Sequence, residues 1–476
     1  MRLRRRPLHP PGVRRRTVLA ALASAAPLAT PLSALGIAAC KPGRDTHVVV
    51  IGAGAAGLWA AQLLVNKGFT VTLLEASSRY GGRILADTTL ADYPVELGAE
   101  EVHGSSSVLY SMCQDANVSF VDSVTEDRFW MADGDGTFAL RDEAVLETDD
   151  VLAAAARFID DLYNWSGDDV TVTERLDDAG IADRARFLVE AQVGNEYGSD
   201  NDHVGVLSLA EDDALWTSGS GNYALSEASM LSLIELACPD SRDLVQLGAV
   251  VGSLQSNETR VTATLTDGAN ISADYAIVTV PLGVLKAGTI AFDPALSDVK
   301  LTAIASVGFG TGMKIILSFS DRFWPDDLGS LYGAEHAPEL WAPGLGRSQN
   351  PLELTAFVMG AKADALTAAS LDGGDQAVFD LILADLDAIF DGAATPALVG
   401  AVLQDWTQEP YILGSYSFPS PGSSGLRGDL ASAEGRIHFA GEATHTGGMY
   451  ATVHGALETG ERAVQEILDR LGAVNG

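Results

Sequence analysis

The sequence predicts an α/β fold built as two domains, and three observations carry that prediction. First, 476 residues are too many for one compact core. Second, the apolar run His47-Val48-Val49-Val50-Ile51 leads directly into Gly52-Ala53-Gly54-Ala55-Ala56-Gly57. A helix predicted over 58–67 follows, then a second apolar run, Thr70-Val71-Thr72-Leu73-Leu74, that ends on Glu75. Third, the C-terminal stretch repeats the theme: a short apolar run over 437–440, a polar Gly-rich loop, and a helix predicted from Val453 to about Leu471. That helix carries Leu457, Val464, Ile467 and Leu468 on one face. A strand, a glycine turn and a helix N-terminus suit an anionic ligand, because free backbone N–H groups and the helix dipole both point outward there. These segments describe a Rossmann-like domain assembled from discontinuous parts of the chain, with an α+β domain carrying a mixed sheet inserted between them.

Composition supports a folded chain, with 47% apolar and 20% charged residues. The formal net charge of −34 repels nucleic-acid phosphates and attracts cations, so no nucleic-acid partner is expected. The first forty residues run the other way, with seven Arg and no acid. Arg15-Arg16-Thr17-Val18-Leu19 resembles a twin-arginine export motif, and the Ala/Leu run after it is broken by Pro27 and Pro31. Residues 1–40 therefore read as an export signal and not as a membrane span. Ile37-Ala38-Ala39-Cys40 also resembles a lipobox; a plain signal and a lipid anchor at Cys40 both fit it. Only Cys113 and Cys238 follow, which excludes a disulfide framework and a cysteine metal site and leaves one bridge open. No metal is expected, and no internal repeat or feature specifying an oligomeric state stands out.

Taken in order, the first glycine cluster has the strand, helix, second strand and acid that a dinucleotide fingerprint requires. Gly52, Gly54, Ala55 and Gly57 permit the tight turn and close approach of a pyrophosphate, and Glu75 can take a ribose hydroxyl pair. Arg79-Tyr80-Gly81-Gly82-Arg83 and Val95-Glu96-Leu97-Gly98-Ala99 come next. With these the chain resembles the flavin-dependent amine oxidases: monoamine and polyamine oxidases, lysine-specific histone demethylases and L-amino-acid oxidases. The resemblance implies that Gly82 and Arg83 lie along the FAD phosphates and ribityl chain, and that the backbone at Gly98 and Ala99 passes the flavin ring. It fades over 101–236, where a helix is predicted over 151–163 from the spacing of Leu152, Ala155, Ala156, Ile159 and Leu162.

Past Leu244 the resemblance returns. Residues 261–265 and 270–271 flank an Asp267-Gly268 turn and predict a hairpin. Tyr275-Ala276-Ile277-Val278-Thr279-Val280-Pro281-Leu282-Gly283 matches a family string, and Val251 just upstream is implied at the adenine. Gly308-Phe309-Gly310 leads through Lys314 into a strand predicted over 315–319, and a helix is predicted from about Gln376 to Phe390. The segment from Asp405-Trp406 to Tyr416 returns the chain to the flavin. The implied division is 41–100, 237–300 and 402–476 for the FAD-binding domain, and 101–236 and 301–401 for the substrate domain.

The chemistry is implied residue by residue. The family places a lysine such as Lys314 beside flavin N5, where a cation stabilises arriving electron density and positions water. Tyr416 and Tyr450 match two aromatic positions flanking the substrate nitrogen, whose faces attract and orient an amine. Ser415 stands where monoamine oxidases carry a flavin-linked cysteine, so non-covalent FAD is implied. Gly441 and Glu442 match the string that holds the pyrophosphate or ribityl region, and the N–H groups of Thr452 and Val453 are implied at flavin N1 and O2. Trp406 belongs to the same flavin-facing set. His103 and Glu196 are candidate substrate-binding residues, although Glu100-Glu101 replace the usual small residue and Trp.

The reading is an FAD-dependent amine oxidase. Hydride passes from the amine carbon to flavin N5, the imine is hydrolysed to an aldehyde, and O2 is reduced to H2O2. A polyamine or diamine is the first substrate expected. A monoamine oxidase stays open, as does an L-amino-acid oxidase, although that would carry an Arg after the Leu97-Gly98-Ala99 element. A flavin desaturase would need neither Lys314 nor the tyrosine pair; a non-catalytic FAD-binding protein is the reading of another class.

Overall fold

The computed structural model describes residues 45–123, 128–132, 139–347 and 351–475. The Arg15-Arg16 motif and Cys40 lie outside them.

Five parallel strands form the first sheet: β1 (His47–Ile51), β2 (Thr70–Leu74), β3 (Val245–Gln246), β4 (Tyr275–Val278) and β5 (Ile437–Phe439), in the order β3–β2–β1–β4–β5. After His47, strand β1 is apolar to its end because both faces are covered. Val48 and Val50 enter the cluster under helix α1 (Ala55–Asn66) and the final helix α2 (Val453–Asn475), while Val49 and Ile51 enter the cluster on the opposite face. Helix α1 begins three residues before the predicted start, immediately after the glycine turn. The predicted hairpin pairs Val261–Leu265 with Asn270–Ala273, and Gly268 takes a φ of +91° in its turn.

A seven-stranded mixed sheet supports the second domain, in the order Leu398–Asp405, Gly312–Phe319, Glu353–Met359, Glu339–Trp341, Ser330–Tyr332, Phe129–Ala132, Leu140–Asp142. Every residue of Gly312–Phe319 is buried, and the strand takes in Lys314, which the sequence pattern had put just before it. Helices Gly360–Gly373 and Asp375–Ile389 pack on this sheet. The helix predicted over 151–163 runs Asp150–Leu162 and is capped by the Asp149 carboxylate, which accepts from Val151 and Leu152 N–H. Its buried stripe joins Tyr197 and Tyr450 in a further core cluster. Residues from 101–236 are shared: Val102, Leu109, Leu225 and Met230 pack with α1 instead.

Cys113 and Cys238 are both free and buried, so the bridge left open by the sequence does not form. Burial pushes their thiols up to about 11 and about 12. Among the described residues, no helix is long and apolar enough to cross a membrane.

Candidate active site

The C-terminal ends of β1, β2 and β4 open onto a cavity of about 580 Å³ that extends to the second sheet. Its size falls among pockets that bury a cofactor-sized ligand, roughly 300–1,000 Å³. At the strand end Gly52 has a φ of +102°, and a Cβ on Gly54 would meet no atom within 4 Å, so a side chain there would project into the cavity. Gly57 is the exception in the fingerprint. It does not line the cavity, and a Cβ there would sit 1.9 Å from the Gly52 carbonyl oxygen. Its place is in the close packing of α1 on the turn, where the sequence pattern predicts a cofactor contact. Glu75 lines the cavity with one oxygen accepting from Ala53 N–H (2.8 Å) and the other from Ser77 N–H (2.9 Å).

Arg83 and Glu442 join two distant segments. The Arg83 guanidinium donates to Glu442 Oε1 (2.9 Å) and to the Ser415 carbonyl (2.7 Å). Glu442 also accepts from Ser417 Oγ (2.6 Å), Ser417 N–H (3.3 Å) and Ala451 N–H (2.8 Å). Burial raises its carboxyl, but Arg83, the Ser417 hydroxyl and Arg427 together win and leave it below its ordinary range. A carboxylate with both oxygens this committed ties the loop in place, and a phosphate would be repelled by it. Ala451 takes a φ of +59° to aim its N–H at Glu442, and helix α2 follows two residues later, with Thr452 and Val453 at the cavity wall. Trp406 donates its indole N–H to Leu97 O (3.0 Å) and would sit 3.0 Å from a Cβ on Gly98, fixing the backbone at Gly98 and Ala99.

Lys314 is buried in its strand and reaches the cavity at the same point. Its Nζ donates to Glu100 Oε2 (2.5 Å) and Gly98 O (3.3 Å), and lies 5.1 Å from the Trp341 ring centre. Tyr416 is half-buried, with its hydroxyl donating to the Glu196 carbonyl (2.7 Å); Gly198, at φ +82°, leaves room for its ring. Tyr450 is buried beneath Arg427, whose guanidinium lies 3.8 Å from the ring centre. Burial holds both phenols well above their ordinary range, so each stays neutral. Glu196 follows the π-helical turn Glu190–Asn195, which Asn195 pins by accepting from Met359 N–H and donating to Phe357 O. His103 lies within 2.9 Å of Asn222 Oδ1, and burial lowers its pKa, leaving a neutral ring.

Apart from Gly57, every residue the sequence singled out lines this cavity: Lys314, Tyr416, Tyr450, His103 and Glu196, with Gly52, Gly54, Ala55, Glu75, Gly82, Arg83, Gly98, Ala99, Val251, Trp406, Gly441, Glu442, Thr452 and Val453. Sequence reasoning missed Glu339, a buried carboxylate that also lines the cavity, and the Glu100 partner of Lys314. Away from the cavity, Glu335, His336 and Asp385 bring ligand-type atoms within 4.8 Å of one another, with both Asp385 oxygens already bonded to His336.

A glycine cradle at parallel strand ends, joined to a second domain that brings a buried lysine and two aromatic rings to the same cavity, defines a flavin-dependent oxidoreductase. A family model for flavin-containing amine oxidoreductases matches residues 55–468, and the chain belongs to that family. The family is flavin-containing, and its cofactor here is FAD. At Ser415 the hydroxyl donates to Gly310 O (3.1 Å) and offers no sulfur for a thioether. The chain is 29% identical over 461 residues to human lysine-specific histone demethylase 2, covering 89% of this chain but 54% of that protein. It thus spans about half the length of that relative. Polyamine oxidase 3 of Oryza sativa subsp. japonica is 28% identical over 457 residues, covering 89% of this chain and 90% of the oxidase. The structure of putrescine oxidase bound to putrescine shares the fold, with a TM-score of 0.71 at 21% identity over 89% of this chain and 99% of that one.

Proposed function

We infer that this protein is an FAD-dependent amine oxidase that takes a diamine or polyamine. The observation that carries the reading is convergence: Lys314, Tyr416 and Tyr450 come from separate segments and line one cavity with the dinucleotide fingerprint. FAD, when bound, supplies the acceptor for the hydride lost by the amine carbon and passes both electrons to oxygen, giving H2O2.

The residues divide the remaining work. Gly52, Gly54, Gly82 and the N–H groups opening α2 would hold the cofactor, while Arg83 and Glu442 fix the loop that aims them. Tyr416 and Tyr450, both neutral, offer ring faces to the reacting nitrogen and orient it. Lys314, held by Glu100, places a positive charge at the cavity and can position the water that hydrolyses the imine. Glu196 and Glu339 supply carboxylates for a second ammonium, and that pair favours a diamine or polyamine over a monoamine. A putrescine oxidase among the similar structures and a polyamine oxidase among the relatives support the same class. An L-amino-acid oxidase would need a cation for the substrate carboxylate, and the cavity presents Glu100 and Glu101 after the Leu97-Gly98-Ala99 element.

Arg15-Arg16 supports export of the folded, cofactor-loaded protein, with Cys40 available as a lipid attachment site. A peroxide-coupled screen across polyamines, monoamines and L-amino acids tests the function. Peroxide from putrescine or spermidine supports it, and peroxide from L-amino acids alone overturns the amine assignment.

A further inference from the structure

Beside Glu100, the carboxylate that holds Lys314, lies a second, much smaller chamber. It measures about 10 Å³ and is lined by Tyr93, Glu96, Glu100, Arg347 and Thr355 among others. That is room for about one water molecule. Glu100 lines both this chamber and the main cavity, so it forms the wall between them. Two lining residues carry buried polar atoms that have no partner among the described residues: Glu96 Oε2 and Thr355 Oγ1. The other Glu96 oxygen accepts from Met230 N–H at 2.6 Å. Buried polar atoms of this kind are ordinarily satisfied by protein or by ordered water. One water between Thr355, Glu96 and Glu100 would satisfy both and reach the carboxylate that holds Lys314.

We propose that the chamber holds one structural water, and that Glu96, this water, Glu100 and Lys314 form a proton path to the active cavity with Glu96 as its store. The charged neighbours of Glu96 are Glu100 on its own segment, Lys314 on the adjoining strand, and Arg347, whose guanidinium lies 4.4 Å from the Tyr93 ring centre. Tyr93 in turn donates to Glu353 at 3.1 Å. Burial dominates this set and pushes the Glu96 carboxyl up to about 8, against the Met230 bond and Lys314. Glu96 therefore carries its proton at neutral pH.

The proposal rests on the amine-oxidase reading, whose balance explains what such a store is for. The reaction is R–CH2–NH3+ + O2 + H2O → R–CHO + NH4+ + H2O2. The substrate ammonium sheds one proton before its carbon can give up hydride, and oxygen needs one proton besides that hydride to leave as peroxide. Glu96 supplies the second through the water, Glu100 and Lys314, and the first proton of the next substrate refills it.

Two measurements on the FAD-loaded enzyme test this, and neither needs an amine. At neutral pH the infrared spectrum should show the C=O stretch of a buried protonated carboxyl that disappears in Glu96→Gln and as pH is raised past about 8. It should shift in Thr355→Val, which removes one partner of the water and decides the matter should Glu96→Gln fail to fold. Enzyme reduced by light and mixed with oxygen in weak buffer and a pH dye should draw no proton from bulk in phase with reoxidation. Glu96→Gln and Glu100→Gln should each draw a full proton per flavin in that phase. No carboxyl band assignable to Glu96, no shift in Thr355→Val, or equal proton uptake in wild type and both Gln variants would overturn the path. Failure to oxidise any amine would overturn the function reading instead.

Discussion

The Arg427 guanidinium stacks 3.8 Å from the centre of the Tyr450 ring. Tyr450 lines the cavity and Arg427 does not, so the cation covers the side of the ring turned from the substrate. Arg427 donates to Ser417 Oγ (2.8 Å) and Ala443 O (3.1 Å) and pairs with Asp212 at 3.4 Å. A cation behind the ring draws its π density away from the cavity, which weakens attraction for an ammonium and favours the neutral amine that reacts.

Removing that cation should damage stability. Arg427→Leu leaves the partly buried Asp212 without its cation, and breaking a fully buried pair costs about 3–5 kcal/mol, which sets the upper bound here. Burial already raises the Asp212 carboxyl against the pull of Arg427. The loss should therefore be largest at neutral pH and shrink in acid, where Asp212 takes a proton. Urea unfolding of wild type and Arg427→Leu at two pH values checks this; Asp212→Asn in the same background should recover part of the loss.

Lys314→Met should keep FAD and slow flavin reduction, reoxidation or both by at least about tenfold, roughly 1.4 kcal/mol of transition-state stabilisation. It also strands Glu100. The double variant Lys314→Met with Glu100→Gln should regain stability but not rate, as read by denaturation and stopped-flow together. Unchanged rates in both half-reactions would make Lys314 an ordinary strand residue.

Glu196→Gln and Glu339→Gln each remove a carboxylate that lines the cavity. A charge-assisted pair is worth about 1.5–3 kcal/mol, so each should raise KM for diamines and polyamines roughly ten- to a hundredfold and spare monoamines. Steady-state kinetics on putrescine, spermidine and a monoamine decide it. Equal effects on all three would remove these residues from substrate binding.

Glu96 sets a pH slope of its own. Its folded value of about 8 lies above the ordinary 4.5, so between these values the folded chain holds a proton that the unfolded chain has lost. This contribution is fully present below about 4.5 and falls by about 1.4 kcal/mol per pH unit up to about 8. Glu96→Gln should flatten that part of the stability profile, which denaturant unfolding across the range would reveal.

Legibility in the sequence followed the range of the interactions. The fingerprint at Gly52, its flanking strands and helix, and the capped helix Asp150–Leu162 are local, and residue spacing reports them directly. Lys314, Tyr416 and Tyr450 were legible only because each sits in a recognisable string. Glu339 sits in a three-residue strand whose side chain reaches the cavity through its register with Phe357, and no local pattern encodes that register. Glu100 was visible as a departure, but its partner lies 214 residues away. Gly57 shows the converse: it belongs to the same local motif, yet it packs on Gly52 and lies outside the cavity lining.

The most direct test of the central claim is anaerobic mixing of the purified yellow protein with spermidine or putrescine. An amine oxidase predicts that the flavin bleaches, that admitting air restores the colour, and that H2O2 appears in step. A flavin that stays oxidised with polyamines and monoamines alike, or bleaches only with L-amino acids, would contradict the account.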